Sequence, residues 1–154
     1  MQAHELGYYY EEFIVGANIN HSLSKTIFES DNNLFSLLTM NAHPVHTNLN
    51  YAQQNQHQRI LVVGTLVFSL AVGMTVPDIS GKAIANLGYE DIRHLKPVFL
   101  NDTIYVKTKV LAKWESKTKS DRGIVYVETI AFNQKNEEVL SFKRKVLVKK
   151  QPQE

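Results

Sequence analysis

At 154 residues the chain has room for one hydrophobic core and none for a second, so a single domain rather than a multidomain enzyme is expected. Apolar residues make up 44% and charged residues 21%, which suits a globular domain, and a formal net charge of +2 lacks the basic excess that binding a phosphate backbone requires, so no nucleic-acid partner is expected. There is no cysteine, which excludes disulfides, thiolate nucleophiles, thiolate zinc sites and iron–sulfur clusters, and which is compatible with a reducing cytoplasmic setting.

Residues 1–13 have neither the basic start nor the apolar stretch of a secretory signal, so the mature chain is expected to begin near Met1. The alternating run Ile19-Asn20-His21-Ser22-Leu23 predicts a half-buried strand or extended arm. A helix follows, capped by Ser30 or Asp31 and ending near Asn41, with Leu34, Phe35, Leu37, Leu38 and Met40 on one apolar side. Pro44 interrupts it, leaving residues 41–48 as a polar loop with two histidines, before a short helical piece at about 49–54. Residues 60–76 are the most apolar part of the chain. They contain Gly64, Thr65, Ser69, Gly73 and Thr75 and stop at Pro77, too short a run for a membrane span. They predict a short approach to Val63 and then a helix from Gly64, apolar nearly all round and therefore enclosed.

Beyond Gly81 the period changes to two, predicting strands at about 83–95, 102–114, 122–133 and 138–149. In the third, Val125, Val127, Thr129 and Ala131 oppose Ile124, Tyr126, Ile130 and Phe132; in the fourth, Leu140, Phe142, Val146 and Val148 oppose Ser141, Lys143, Lys145 and Lys149. Residues 133–136 predict the hairpin turn between them. One enclosed helix and four or more antiparallel strands predict an α+β domain, a sheet wrapped around one long central helix, with its core between about residues 8 and 149. Its uncovered edges and faces predict a homodimer at least.

The segment Asn41-Ala42-His43-Pro44-Val45-His46 resembles the D-x-N-P-[LIV]-H signature of the MaoC-like family, the hotdog-fold hydratases and dehydratases of acyl thioesters. The likeness runs from Tyr8 to Lys149 in consistent order: Tyr9-Tyr10-Glu11-Glu12-Phe13-Ile14-Val15-Gly16, the loop with Pro44 and His46, the apolar run with Gly64, and Pro97-Val98-Phe99-Leu100-Asn101-Asp102-Thr103-Ile104, which resembles the family's P-V-[FY]-x-G-D-x-[IL] with Asn101 where Gly is usual. The resemblance implies a single hotdog domain paired with a second copy, an active site near the interface, His46 as the catalytic histidine and Asn41 at the position of the catalytic aspartate. It also implies that the backbone N–H of Gly64, at the start of the central helix, receives the thioester carbonyl, where a helix N-terminus stabilises developing negative charge.

Hydrating a double bond conjugated to a thioester needs a base for water, an acid for the α-carbon and donors for the enolate oxygen. His46 meets the first need, whereas Asn41 cannot ionise and can only orient water through its amide. Three readings stay open here: His46 cycles the proton alone, a neighbouring acid such as Glu90 or Asp91 substitutes, or the protein binds acyl thioesters without fast turnover. His43, where the signature has Asn, is expected to contact substrate or orient the loop together with Pro44 and Thr65, and Arg59 and Arg93 are candidate partners for the phosphates of coenzyme A. Lys107, Lys109, Lys113, Lys117, Lys119 and Arg122 read as the wet face of a sheet or a second phosphate site.

The histidines at positions 4, 21, 43, 46, 57 and 94 form no HxH or HExxH pair, so no metal is expected, and no cofactor beyond coenzyme A as part of the substrate. Ser69 has no paired base and reads as a buried hydroxyl bonded to the preceding turn. The expected activity is therefore (R)-type enoyl-CoA hydration or the reverse dehydration, in the cytoplasm. The alternatives are an acyl-carrier-protein dehydratase, a non-catalytic acyl-CoA-binding protein and, against the His46 motif, a thioesterase.

Overall fold

Residues 6–154, those described by a computed structural model of the chain, form five strands: β1 (Asn18–Thr26), β2 (Ala83–His94), β3 (Thr103–Glu115), β4 (Arg122–Phe132) and β5 (Glu138–Lys149). They make one antiparallel sheet in the order β1-β3-β4-β5-β2. Between β1 and β2 run α1 (Glu29–Thr39), α2 (Pro44–Thr47), α3 (Leu49–Gln53) and the central helix α4 (Gly64–Thr75), which passes into a π-helical turn at Val76–Ser80. Among these residues no helix is long and apolar enough to cross a membrane. His4 lies outside the described residues.

Strand parity decides the core. Val125, Val127, Thr129 and Ala131 of β4 and Leu140, Phe142, Val146 and Val148 of β5 are buried, the faces the alternation predicts; Ala131, Leu140 and Phe142 pack with Val67, Ala71 and Met74 of α4, and Val125, Val127, Val146 and Val148 with Tyr10 and Phe13 from the segment before β1. The β4–β5 hairpin closes as expected: Asn136 takes the left-handed conformation and the Asn133 carboxamide accepts the N–H groups of Lys135 and Glu137. At the entry to β3, Asn101 has φ 73°, which explains why glycine suits that position and why asparagine is tolerated there.

Two sequence expectations fail for physical reasons. The first concerns α1, which buries Asn32 and Ser36, while Leu34, Leu37, Leu38 and Met40 face solvent, Leu38 at 74% and Met40 at 89% exposure. Its buried side is chosen by hydrogen bonds of Asn32 to neighbouring backbone. Nor is Ser30 the cap: the helix begins at Glu29, and Asp31, at the third position, reaches back to accept the N–H of Phe28.

The second is that α4 is enclosed on one side only. Val67, Ala71, Met74 and Thr75 are buried, whereas Thr65, Ser69 and Gly73, one turn apart along the helix, are exposed because one sheet curves around one side of a helix. Ser69 is therefore not the buried hydroxyl expected. Of the readings left open for the acid, the one that gave the part to Glu90 or Asp91 is closed by their position as outward charges on a strand. Glu90 accepts the Tyr126 hydroxyl at 2.7 Å and pairs with Lys145, Asp91 pairs with Lys143, and all lie on the outer face of the sheet.

Polar groups also enter the interior. Arg144, 2% exposed, shares parity with Phe142 and Val146, and its Nη2 donates to Thr75 Oγ1 at 2.7 Å and to Ser80 Oγ, pinning the end of α4 to β5. Burial pulls its pKa below the usual arginine range. Beside it, His21 bridges Asp78 and Thr108, each at 2.7 Å, and Thr108 meets Thr129 across β3–β4. Burial lowers the His21 pKa from 6.5, outweighing the attraction of Asp78, while Arg144 lowers it further. A histidine that charges more readily in the unfolded chain than in the native one subtracts stability as pH falls. Urea unfolding is therefore expected to show stability fully present above about pH 6.5 and declining below it, and His21→Gln is expected to flatten that decline; an equally steep decline in the variant would contradict the assignment.

Candidate active site

The loop after α1 is built by its own side chains. Met40 turns the chain in the left-handed conformation, and the Asn41 N–H returns to the Ser36 carbonyl. The Asn41 carboxamide oxygen accepts the His43 N–H at 3.3 Å, and His43 Nδ1 accepts the Val45 N–H at 3.2 Å. His43 is thus the N-cap of α2 and Pro44 its first residue, where a missing N–H costs nothing. The sequence expectation for His43 divides: the loop-orienting role is filled, and its exposed ring stands 6.1 Å from the His46 ring, centroid to centroid.

His46, in the last turn of α2, is half-buried, with Nδ1 2.7 Å from the Leu61 carbonyl oxygen. A carbonyl can only accept, so Nδ1 carries a hydrogen, and in the neutral ring the lone pair then falls on Nε2, the tautomer suited to a base. Asn32, 1% exposed, organises this arrangement. Its amide nitrogen donates to the His46 carbonyl at 3.2 Å and to the Leu61 carbonyl at 3.4 Å, and its oxygen accepts the buried Val63 N–H at 2.9 Å. One side chain on α1 thereby ties α2, the approach to α4 and the N-cap of α4 together. Sequence reasoning missed Asn32; the available signal was an asparagine inside a helix, a residue type that competes for backbone groups and needs a reason to be there.

Gly64 opens α4 and lines a groove of about 260 Å³ with Leu61, Val67, His94, Pro97 and Val139. The N–H groups of Gly64 and Thr65, at the very start of the helix, have no intrahelical acceptor, whereas the Leu66 N–H already donates to the Val63 carbonyl, and the positive end of the helix dipole lies here. His46 lines a separate depression of about 190 Å³ with Asn32, Leu49, Ile60 and Leu100. The structure therefore brings His46 and Gly64 to the two ends of the segment 61–64, joined by the Leu61 carbonyl, with Asn41 in the loop that holds His46.

Thr65 stands exposed in the first turn of α4. Arg59 packs its guanidinium on the Phe99 ring, 3.5 Å from the centroid, in a polar cleft that shares Lys96 and Pro97 with the Gly64 groove. Arg93 is not brought to the site: it borders a separate depression with Asp91, Glu128 and Lys143 on the outer face of the sheet.

Residues 12–132 match the family model described as a MaoC like domain. The chain is 35% identical over 144 residues to mesaconyl-CoA hydratase of Cereibacter sphaeroides, covering 94% of this chain and 42% of that protein. It is 36% identical over 144 residues to beta-methylmalyl-CoA dehydratase of Chloroflexus aurantiacus, covering 94% and 41% respectively. The fold superposes on R-hydratase PhaJ1 of Pseudomonas aeruginosa with a TM-score of 0.79 at 25% identity, over 93% of this chain and 86% of that one. The chain thus spans about two fifths of the length of the curated relatives it matches.

Proposed function

This chain belongs to the MaoC-like domain family, and from that premise we propose that it adds water to enoyl thioesters of coenzyme A and removes it in reverse, as a cytoplasmic hydro-lyase. The observation that carries this reading is the bond from His46 Nδ1 to the Leu61 carbonyl at 2.7 Å, which leaves Nε2 free to take a proton. The thioester carbonyl rests at the Gly64 N–H. Water, held by the free amide hydrogens of Asn41, gives a proton to His46 Nε2 as its oxygen bonds to the β-carbon, and the electron pair released onto the thioester oxygen is stabilised at the positive end of α4. His43, Pro44 and Thr65 shape the approach. Arg59, beside the cleft that continues the groove, meets the phosphates of coenzyme A; Arg93, on the outer face, is no longer a candidate. No cofactor beyond the coenzyme A of the substrate enters the reaction.

The names of the relatives, mesaconyl-CoA hydratase and beta-methylmalyl-CoA dehydratase, direct the substrate reading towards short, branched, dicarboxylic acyl groups. Its test is a hydration assay comparing mesaconyl-CoA with crotonyl-CoA in the native protein and in Asn41→Asp. Turnover is expected with at least one ester, faster on mesaconyl-CoA, and the aspartate variant is expected to gain about tenfold by supplying an ionisable partner to His46. A variant slower than native would contradict the position given to Asn41.

The working unit is proposed to be a homodimer or a higher assembly of dimers. Strand β2 is a sheet edge exposed along nearly its whole length, with Ile84, Leu87, Tyr89 and Ile92 open to solvent beside the uncovered side of α4. Sedimentation velocity at micromolar concentration is expected to give at least twice the chain mass; a monomer would contradict this.

A further inference from the structure

Resting on the hydratase reading, we propose that His94 is the second proton carrier of the site, taking over the proton transfers that Asn41 cannot make. His94 is the last residue of β2, where pairing with Leu140 of β5 fixes its backbone at the mouth of the Gly64 groove. Its ring lies on the α-carbon of Gly64: a Cβ built there would stand 2.9 Å from Cε1, 3.2 Å from Nε2 and 3.3 Å from Nδ1 of His94. Residue 64 must therefore be glycine for His94 to keep this position, and the imidazole occupies the volume next to the N–H that receives the thioester oxygen. The α-carbon of a bound enoyl thioester is two bonds from that oxygen, which puts it within reach of the ring.

Little else in the groove can move a proton. Leu61, Val62, Val67, Leu95, Pro97, Val98 and Val139 contribute apolar surface, and the Lys96 ammonium is tied to Glu137 at 2.8 Å. His46 and His94 thus stand at opposite ends of the segment 61–64, one bonded to the carbonyl of Leu61 and the other against Gly64.

In hydration the water oxygen bonds to the β-carbon while its proton passes to His46 Nε2. The π pair moves towards the thioester oxygen as an enolate and returns to form the new C–H bond with a proton from protonated His94. His94 is left neutral and His46 protonated; His46 then gives a proton to solvent and His94 takes one, so the sum is one water added. Dehydration runs the same steps backwards, with neutral His94 removing the α-proton and protonated His46 assisting departure of the hydroxyl.

The experiment is steady-state hydration of mesaconyl-CoA and crotonyl-CoA by the native protein, His46→Ala, His94→Gln, His94→Phe and the double variant Asn41→Asp with His94→Gln. His94→Gln and His94→Phe, which keep a planar group or a ring against Gly64, are each expected to lower kcat about 100-fold with KM changed less than about threefold. The double variant is expected to recover about 100-fold over His94→Gln, well beyond the roughly tenfold that Asn41→Asp brings to the native protein, because aspartate restores the second ionisable group; a merely structural His94 would allow no more than that roughly tenfold gain. Native turnover that His46→Ala abolishes but His94→Gln retains would overturn this assignment alone. Absence of turnover in the native protein would overturn the hydratase reading and this assignment together.

Discussion

Replacing His46 with alanine is expected to lower hydration of an enoyl-CoA ester by about 1,000-fold or more while leaving the fold in place. Removing a positioned general base typically costs between about 100- and 10,000-fold, and the upper part of that range applies because Asn41 cannot stand in for it. The imidazole makes one hydrogen bond, to the part-buried Leu61 carbonyl, so its loss is expected to change stability by no more than about 1 kcal/mol. Circular dichroism and urea unfolding of the variant, beside its kcat, separate the two effects. A variant that keeps more than a tenth of native turnover would show that the proton goes elsewhere.

Asn32→Ala is expected to damage both stability and catalysis. The substitution strands the Val63 N–H, whose residue is 2% exposed, and withdraws the donor from the His46 and Leu61 carbonyls. One buried donor without a partner costs about 1–3 kcal/mol, and the lost carbonyl bonds bring the expected total to about 2–4 kcal/mol. Turnover is expected to fall about 100-fold in the molecules that remain folded, since a displacement of about 1 Å in a catalytic group suffices for that. Asn32→Asp separates the contributions. It keeps an acceptor for Val63 but turns a carboxylate oxygen towards two carbonyls, so it is expected to be no better than alanine. Activity and stability both near native in either variant would contradict the clamp.

Much of this was legible in the sequence, and particular residues show where legibility ended. Alternation in β4 and β5 named the buried face residue by residue, because a strand has two faces and apolar side chains choose between them. It also contained Arg144, one position of the same parity, which passes unnoticed inside the charged run Lys143-Arg144-Lys145; only the hydroxyls of Thr75 and Ser80 show why a cation is tolerated there. In α1 the spacing correctly grouped Leu34, Leu37 and Leu38, yet periodicity reports which residues share a face and not what that face meets. Asn32 bonds three backbone groups brought from elsewhere in the chain, and no local pattern encodes them.

The site divides in the same way. Asn41, His43, Pro44 and His46 are contiguous, so their capping and turn geometry follows from neighbours in the chain, and His46 finds its acceptor only fifteen residues away at Leu61. Gly64 was legible as the start of a helix, and the reason for glycine was not: the ring that a side chain there would displace is His94, 30 positions on and at the far end of β2. Arg59 and Arg93 were equivalent as charges in the sequence, and the fold separates them, one beside the groove and the other on the outer face.

The central claim, that His46 with its free Nε2 hydrates an acyl thioester bound at Gly64, is tested most directly by following the loss of enoyl-thioester absorbance when native protein is mixed with mesaconyl-CoA or crotonyl-CoA. The expected result is turnover of at least one ester that vanishes with His46→Ala. No turnover of either ester by a folded protein that nevertheless binds them would contradict the claim and leave an acyl-CoA-binding protein.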